Sequence, residues 1–272
     1  MTADIHSTAI IHAGAKVSGS AKIGPYCVIG PDVTVENDVV LAPHVCITGV
    51  TNIGARTRVA PFCSLGTAPQ STGYKGEKTS LSVGIDCDIR EHVTMNIGTL
   101  AGGGHTIVGD RVLMMVASHI AHDCIVGNDV TFANNATLGG HSVIGDRVVI
   151  GGLSACHQFT RIGEGAMIGG VVGLREDVIP YGLVDRDGML GGLNIIGLKR
   201  RGATRTDLQE IRKTARGIFF GDGTFEQRKQ DAISNPPENK FAALIVSFLA
   251  AGGKRPILKF GRGISLGAIE AE

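Results

Sequence analysis

Six-residue steps through the chain from Ile11 land on an aliphatic side chain every time as far as Leu65: Ile11, Val17, Ile23, Ile29, Val35, Leu41, Ile47, Ile53, Val59 and Leu65. The frame breaks over 66–82 and resumes at Val83, Ile89 and Met95. It slips by one residue and runs again from Val108 through Met114, Ile120, Val126, Phe132, Leu138, Ile144, Ile150, Cys156, Ile162 and Ile168 to Leu174. An amphipathic helix repeats every 3.6 residues and a half-buried strand every two, so neither gives a strict period of six over this distance. The period is the signature of a parallel β-helix. Each hexad supplies a short strand and a corner, three hexads close a triangular coil, and coils stack at roughly 4.8 Å. Gly often follows the aliphatic residue, as at Gly24, Gly30, Gly54, Gly84 and Gly109, where it is expected to let the backbone turn without Cβ strain. A narrow prism also accounts for the absence of Trp and for only 4% aromatic residues beside 40 glycines.

The charge balance excludes one broad class. With 26 Lys+Arg against 25 Asp+Glu the net charge is +1, and a general nucleic-acid binder carries a strong basic excess. The longest apolar stretch, Phe241 to Ala251, is broken by Ser247 and is too short for a bilayer, which needs roughly 20 residues. No transmembrane segment is expected. The first residues lack the basic and apolar regions of a signal peptide. The six cysteines, at 27, 46, 63, 87, 124 and 156, form no C-x-x-C pair and read as reduced, small core residues, so a cytoplasmic location is expected.

Two segments leave the repeat. Residues 66–82 are polar and rich in turn formers, an excursion from a rigid scaffold where binding groups are frequently carried. Beyond about residue 195 the period becomes helical. Thr206-Asp-Leu-Gln209 reads as a capping box ahead of Leu208, Ile211, Ala215, Ile218 and Phe219. Thr224-x-x-Gln227 starts a second helix, and a third with Phe241, Leu244, Ile245, Phe248 and Leu249 ends at Gly252-Gly253. The expected organisation is a mainly β domain over 1–194, with the 66–82 loop, and a C-terminal α-helical domain over 195–272. Residues 199–272 carry a net +6 and the remainder −5. The cluster Lys199, Arg200, Arg201, Arg205, Arg212, Lys213 and Arg216 is either a solvated helical face or a receiver for an acidic protein or a phosphate.

With three hexads to a coil, positions 18 apart stack. His122 then lies under Gly140 and Gln158, Asp123 under His141, and Gly139 under His157. Four of the nine histidines, His119, His122, His141 and His157, gather on one small area. A histidine near neutral pH suits general-base work, with Asp123 orienting its ring. The Gly140 N–H is placed to meet a developing oxyanion. His141 and His157 are placed to contact substrate. A rival reading gives His119, His122 and His141 to a zinc ion, ranked below a metal-free base for want of an acidic partner set.

The repeat resembles the hexapeptide-repeat family, whose coils wind left-handed; the period alone does not give the hand, since parallel crossovers are normally right-handed. More specifically, Ile120-Ala-His-Asp-Cys124, Ala133-Asn-Asn-Ala-Thr-Leu-Gly-Gly-His141, His157-Gln-Phe159 and Asn194-Ile-Ile-Gly-Leu-Lys-Arg-Arg-Gly202 occur in that order. Together they resemble the acyl-carrier-protein–UDP-N-acetylglucosamine O-acyltransferases of lipid A biosynthesis over nearly the whole chain. The resemblance implies transfer of a 3-hydroxyacyl group from acyl carrier protein to the 3-position of the sugar, with no cofactor beyond the donor's own phosphopantetheine. It implies His122 as general base and Gly140 as oxyanion donor. It places Gln70, His119, Asp123, His141, His157 and Gln158 against the nucleotide sugar or thioester arm, and Asn194, Arg200 and Arg201 near the phosphopantetheine and diphosphate. It implies a homotrimer with sites between neighbouring prisms, a basic tail that docks carrier protein, and Gly170 as the small residue leaving room for a long acyl chain.

The chain departs from that family's pattern where the acceptor is recognised. The common Gln-Asp-Leu-Lys-Tyr loop here reads Gln70-Ser-Thr-Gly-Tyr74 followed by Lys75, and a glutamate after Asn-Ile is here Ile196. Ordinary O-acylation is set ahead of an acceptor with a 3-amino group and an amide product. Behind both stand the hexapeptide-repeat N-acyltransferase, a zinc enzyme of the same fold, and a non-enzymatic β-helix that binds a surface.

Overall fold

The computed structural model describes residues 3–261 and Leu266; the end of the predicted helical domain, 262–265 and 267–272, lies outside the described residues. The hexads form two- to four-residue strands in three parallel sheets, the flat faces of a triangular prism. Face A includes Lys22–Ile23, Val40–Leu41 and Leu113–Met114; face B includes Val28–Ile29, His119–Ile120 and Thr137–Leu138; face C includes Val33–Val35, Ile125–Val126 and Val143–Ile144. Regular coils pair with an 18-residue offset, as in Lys22↔Val40 and His119↔Thr137. The coil is the left-handed parallel β-helix that the repeat's resemblance implies. From Ile23 to Leu174 every residue of the six-step series is buried, while Ile11 and Val17 near the open end are partly buried.

A second series, two residues ahead of the first, is also inside. Its members are small: Cys27, Val33, Val39, Val45, Thr51, Thr57, Cys63 and, later, Val112, Ser118, Cys124, Val130, Ala136 and Ser142. With Cys87, a further member, this series accounts for four of the six cysteines, all of which are free. The buried hydroxyls donate to carbonyls of the coil, Ser118 to Met115 O at 2.8 Å and Ser142 to Gly139 O at 2.7 Å, so their burial leaves no unpaired donor.

The glycines after the aliphatic residue have a different purpose from the one expected. Left-handed backbone falls two residues further on, at corner residues such as His44, Asp86, Asp123 and His141. Asn, Asp and His tolerate that conformation best. The glycines themselves allow coils to approach: a Cβ on Gly54 would lie 2.5 Å from Gly84 O, and one on Gly84 2.5 Å from Gly109 O.

Two excursions leave the prism at the corner between faces B and C. The first is narrower than 66–82, because Ser64–Thr67 and Ser80–Val83 are strands, which leaves 68–79 as the loop. The second lies behind the one-residue slip. Met95 on face B is followed on face C by Val108, 13 residues on instead of six, and the extra length forms a short 3-10 turn, Leu100–Gly102.

The tail packs four helices on the last coils: α1 (Ile195–Arg200), α2 (Arg205–Phe220), α3 (Phe225–Ser234) and α4 (Lys240–Ala250). The first was not expected. The capping box of α2 is Thr204 with Asp207, so the predicted Thr206 lies inside the helix; that of α3 is Thr224 with Gln227 as expected. Leu208, Ile211, Ala215 and Ile218 of α2 and Ala242, Ile245, Val246 and Leu249 of α4 are buried. The buried pair Arg161 and Asp177 fastens the tail. Arg161 donates to Asp177 through its backbone N at 2.8 Å and Nε at 2.7 Å, and its guanidinium lies 4.3 Å over the Phe248 ring of α4. Asp177 N donates to Pro256 O and Leu258 N to Asp177 O, both at 2.8 Å, which ties the returning chain to the prism.

Candidate active site

The corner between faces B and C carries a column of left-handed residues, Asp123, His141 and Phe159, one per coil. Backbone bonds from His141 N to His122 O (3.0 Å) and from Phe159 N to Gly140 O (2.9 Å) set their stacking. His122 lies on the outside of this column beside Asp123, whose side chain is fully buried.

Asp123 is fixed from three sides. Its Oδ1 accepts from Thr99 N at 2.8 Å, and its Oδ2 accepts from Thr99 Oγ1 at 2.6 Å and from His122 Nδ1 at 2.8 Å. Its own backbone N donates to Thr106 Oγ1 at 2.8 Å. Because a carboxylate oxygen accepts, His122 Nδ1 carries the hydrogen and Nε2 keeps its lone pair. The His122 ring lies against Gly140: a Cβ there would stand 2.6 Å from Cε1 and 2.8 Å from Nε2. Gly140 N–H has no acceptor among the described residues. A basic nitrogen and a free donor thus share one small space, the pair that acyl transfer requires.

The other predicted residues fall into two groups. On this same corner, His141 meets the His122 ring edge-on at 5.0 Å between centroids, and its Nδ1 lies 3.7 Å from Asp123 Oδ2. Burial, foremost, holds the His141 imidazole below its ordinary value against the pull of Asp123. His119 lies on face B with Nδ1 2.7 Å from Thr94 Oγ1, and burial lowers its pKa as well. His157 and Gln158 are exposed one coil further on, and Gln70 is exposed in the 68–79 loop.

The second group sits elsewhere on the same chain. Asn194 caps α1, accepting from Gly197 N at 2.9 Å and donating to Gly165 O at 3.0 Å. Arg201 lies 3.6 Å from Glu164 and reaches Arg147 O, at the corner between faces C and A, and Arg200 beside it is exposed. Gly170 is exposed at the corner between faces A and B, next to Val171 and one coil above Gly152. One chain therefore does not gather all the predicted residues.

The three nitrogens of the zinc reading do not converge. His122, Asp123 and His141 place one ligand-type atom each within 4.8 Å of one another, while His119 is turned to Thr94. Both oxygens of Asp123 are already engaged by Thr99 and His122, an arrangement that orients a base. Thr99 was missed in the sequence. Its trace there was the 13-residue step from Met95 to Val108, which marks an insertion on the coil before the one carrying His122. Lys254 and Arg255, which reach this corner from the tail, left no such mark.

Comparison with known proteins gives a consistent picture. Residues 177–258 match the model described as UDP N-acetylglucosamine O-acyltransferase, domain 2, and residues 19–49 match bacterial transferase hexapeptide (six repeats). A protein of Azorhizobium caulinodans called acyl-[acyl-carrier-protein]–UDP-N-acetylglucosamine O-acyltransferase is 54% identical over 82% of this chain and 83% of its own length. One of the same name from Rhizobium johnstonii is 44% identical over 82% of each. The solved structure of LpxA from Acinetobacter baumannii superposes with a TM-score of 0.90 at 38% identity, covering 94% of this chain and all of its own. The UDP-N-acetylglucosamine acyltransferase of Francisella novicida gives 0.90 at 31%, covering 98% of this chain and all of its own.

Proposed function

The chain belongs to the acyl-[acyl-carrier-protein]–UDP-N-acetylglucosamine O-acyltransferases, and from that premise we propose a mechanism in which the His122–Asp123 pair drives transfer of a 3-hydroxyacyl group to the sugar's 3-hydroxyl. The enzyme is an acyltransferase of lipid A synthesis. The observation that carries the mechanism is the 2.8 Å bond from His122 Nδ1 to a buried carboxylate, which leaves Nε2 basic beside the Gly140 amide. Nε2 takes the proton of the 3-hydroxyl as its oxygen attacks the thioester carbon. The oxyanion that forms accepts from Gly140 N–H. Collapse breaks the carbon–sulfur bond, and the His122 imidazolium returns its proton to the departing thiolate. Each proton is held by this chain's own residues, and the phosphopantetheine arrives on acyl carrier protein, so the step calls for no cofactor or metal.

The second group of residues belongs to the same reaction through a homotrimer. A neighbouring prism would bring its α1 region, with Asn194, Arg200 and Arg201, to the His122 corner, where the guanidinium groups meet the diphosphate or the phosphopantetheine phosphate. His119, His141, His157, Gln158 and Gln70 then line the sugar and the thioester arm. The acyl chain runs past Gly170, where Leu153 and Val171 are about two-thirds exposed and offer an apolar lane. The basic tail receives the acidic carrier protein. No helix among the described residues is long and apolar enough to cross a membrane, in keeping with work in the cytoplasm.

The test is product identity. Purified protein receives 3-hydroxyacyl carrier protein with UDP-N-acetylglucosamine and its 3-amino analogue in competition, and products are read by mass spectrometry. The ester is expected. Amide alone would overturn the assignment of the acceptor.

A further inference from the structure

Behind the histidines of the active corner stands a stack whose outermost member comes from the tail. The Phe159 ring lies flat on His141, with centroids 4.3 Å apart and planes 4° from parallel. Lys254 Nζ sits 4.1 Å from the Phe159 centroid. The neighbouring Arg255 donates from Nε to Gln158 O at 3.0 Å and bonds His157 Nδ1 through Nη2. Two consecutive side chains of the tail therefore clasp the coil that carries Phe159.

The turn bearing them is held at both ends. A Cβ on Gly253 would stand 2.4 Å from Asp177 Oδ2 and 2.5 Å from Arg161 Nε, so the chain passes directly over the buried ion pair. On the other side, Asp177 N grips Pro256 O. Lys254 and Arg255 are thus presented by a fixed backbone and not by a loose terminus.

We propose that Lys254 is a positioning residue of the acyl-transfer site, its ammonium on the outer face of Phe159 holding the ring against which His141 stacks and so keeping His141 turned toward Asp123 and His122. A cation over one face of an aromatic ring is attracted by the ring's quadrupole and restrains it. His141 cannot then move outward without breaking a flat stack. The groups that face His141 are Asp123 and His122 from the preceding coil and, across Phe159, Lys254; burial and the charges of His122 and Lys254 lower its pKa while Asp123 raises it. The role rests on the assignment of this corner to acyl transfer.

The test uses the full-length enzyme with Lys254→Met, which keeps length and loses charge, and Lys254→Arg, which keeps charge. The His141 imidazole is followed by NMR titration, and kcat and KM for carrier protein are measured alongside. In Lys254→Met the His141 midpoint is expected to rise and kcat to fall several-fold with KM nearly unchanged; Lys254→Arg is expected to restore both. An unmoved His141 midpoint, a change confined to KM, or failure of Lys254→Arg to rescue would overturn the proposal. The titration reads Lys254 even if His122→Ala were to leave acyl transfer intact, so failure of the mechanism and failure of this inference are separable.

Discussion

At the scale of the residue, the corner between faces B and C depends on one carboxylate and one missing side chain. Asp123 is buried with three hydrogen bonds to its oxygens, and Gly140 leaves the space that the His122 ring fills. Burial lowers the pKa of His119, with a consequence for stability. Its imidazole has its ordinary pKa when unfolded, so as the pH falls through about 6.5 the unfolded chain binds a proton before the folded one does. The stability this histidine contributes is whole above that point and is lost on acidification until the lowered folded pKa is passed. Thermal unfolding followed between pH 8 and pH 5 should therefore show a steeper acid loss in the wild type than in His119→Gln; equal slopes would contradict the burial argument. The vertical alignment of His122, Gly140 and Gln158 was legible in the sequence because an 18-residue coil needs no knowledge of side-chain contacts. Thr99 was not, because an insertion carries no period to count by.

At the scale of the element, the six-residue series made the prism readable and hid two features. The second buried series is a mixture of Cys, Ser, Thr, Ala and Val, which composition does not separate from exposed positions. Most corner residues take left-handed backbone without being glycine, and backbone bonds to the preceding coil hold them there, as His141 N to His122 O and Phe159 N to Gly140 O do. Two such corners carry bidentate pairs, Arg56 with Asp86 and Arg111 with Asp129, but both are solvent-exposed and contribute little net stability. The junction of prism and tail is different. Asp177 is fully buried and pairs with Arg161, whose side chain is only 16% exposed. Removing one partner of a buried pair costs about 3–5 kcal/mol, since the other is left unpaired. Asp177→Ala should lower the stability of the tail by that order, seen in hydrogen exchange as early opening of α2 and α4 while the coils around Phe132 stay protected. Simultaneous, unchanged protection of both would contradict the anchoring role. The helices themselves were legible from capping residues and apolar spacing, with the start of α2 displaced by two residues; α1 is too short to show a period.

At the scale of the whole molecule, the division of predicted site residues between separate corners of one prism is what the proposed trimer has to reconcile. If His122 of one subunit works with Arg201 of its neighbour, two inactive variants should complement. Co-assembly of His122→Ala with Arg201→Ala should recover about a quarter of wild-type sites by random assortment in a ring. No recovery in verified mixed trimers would place the two residues in separate functions. The uneven charge of the chain, basic in the tail and acidic in the prism, was visible at the start and fits a donor delivered by an acidic protein. The central claim, that His122 oriented by Asp123 is the general base, is tested most directly by single-turnover ester formation with His122→Ala at saturating donor and acceptor. The rate is expected to fall roughly 10²–10⁴-fold with both substrates still bound. A rate near that of the wild type would contradict it.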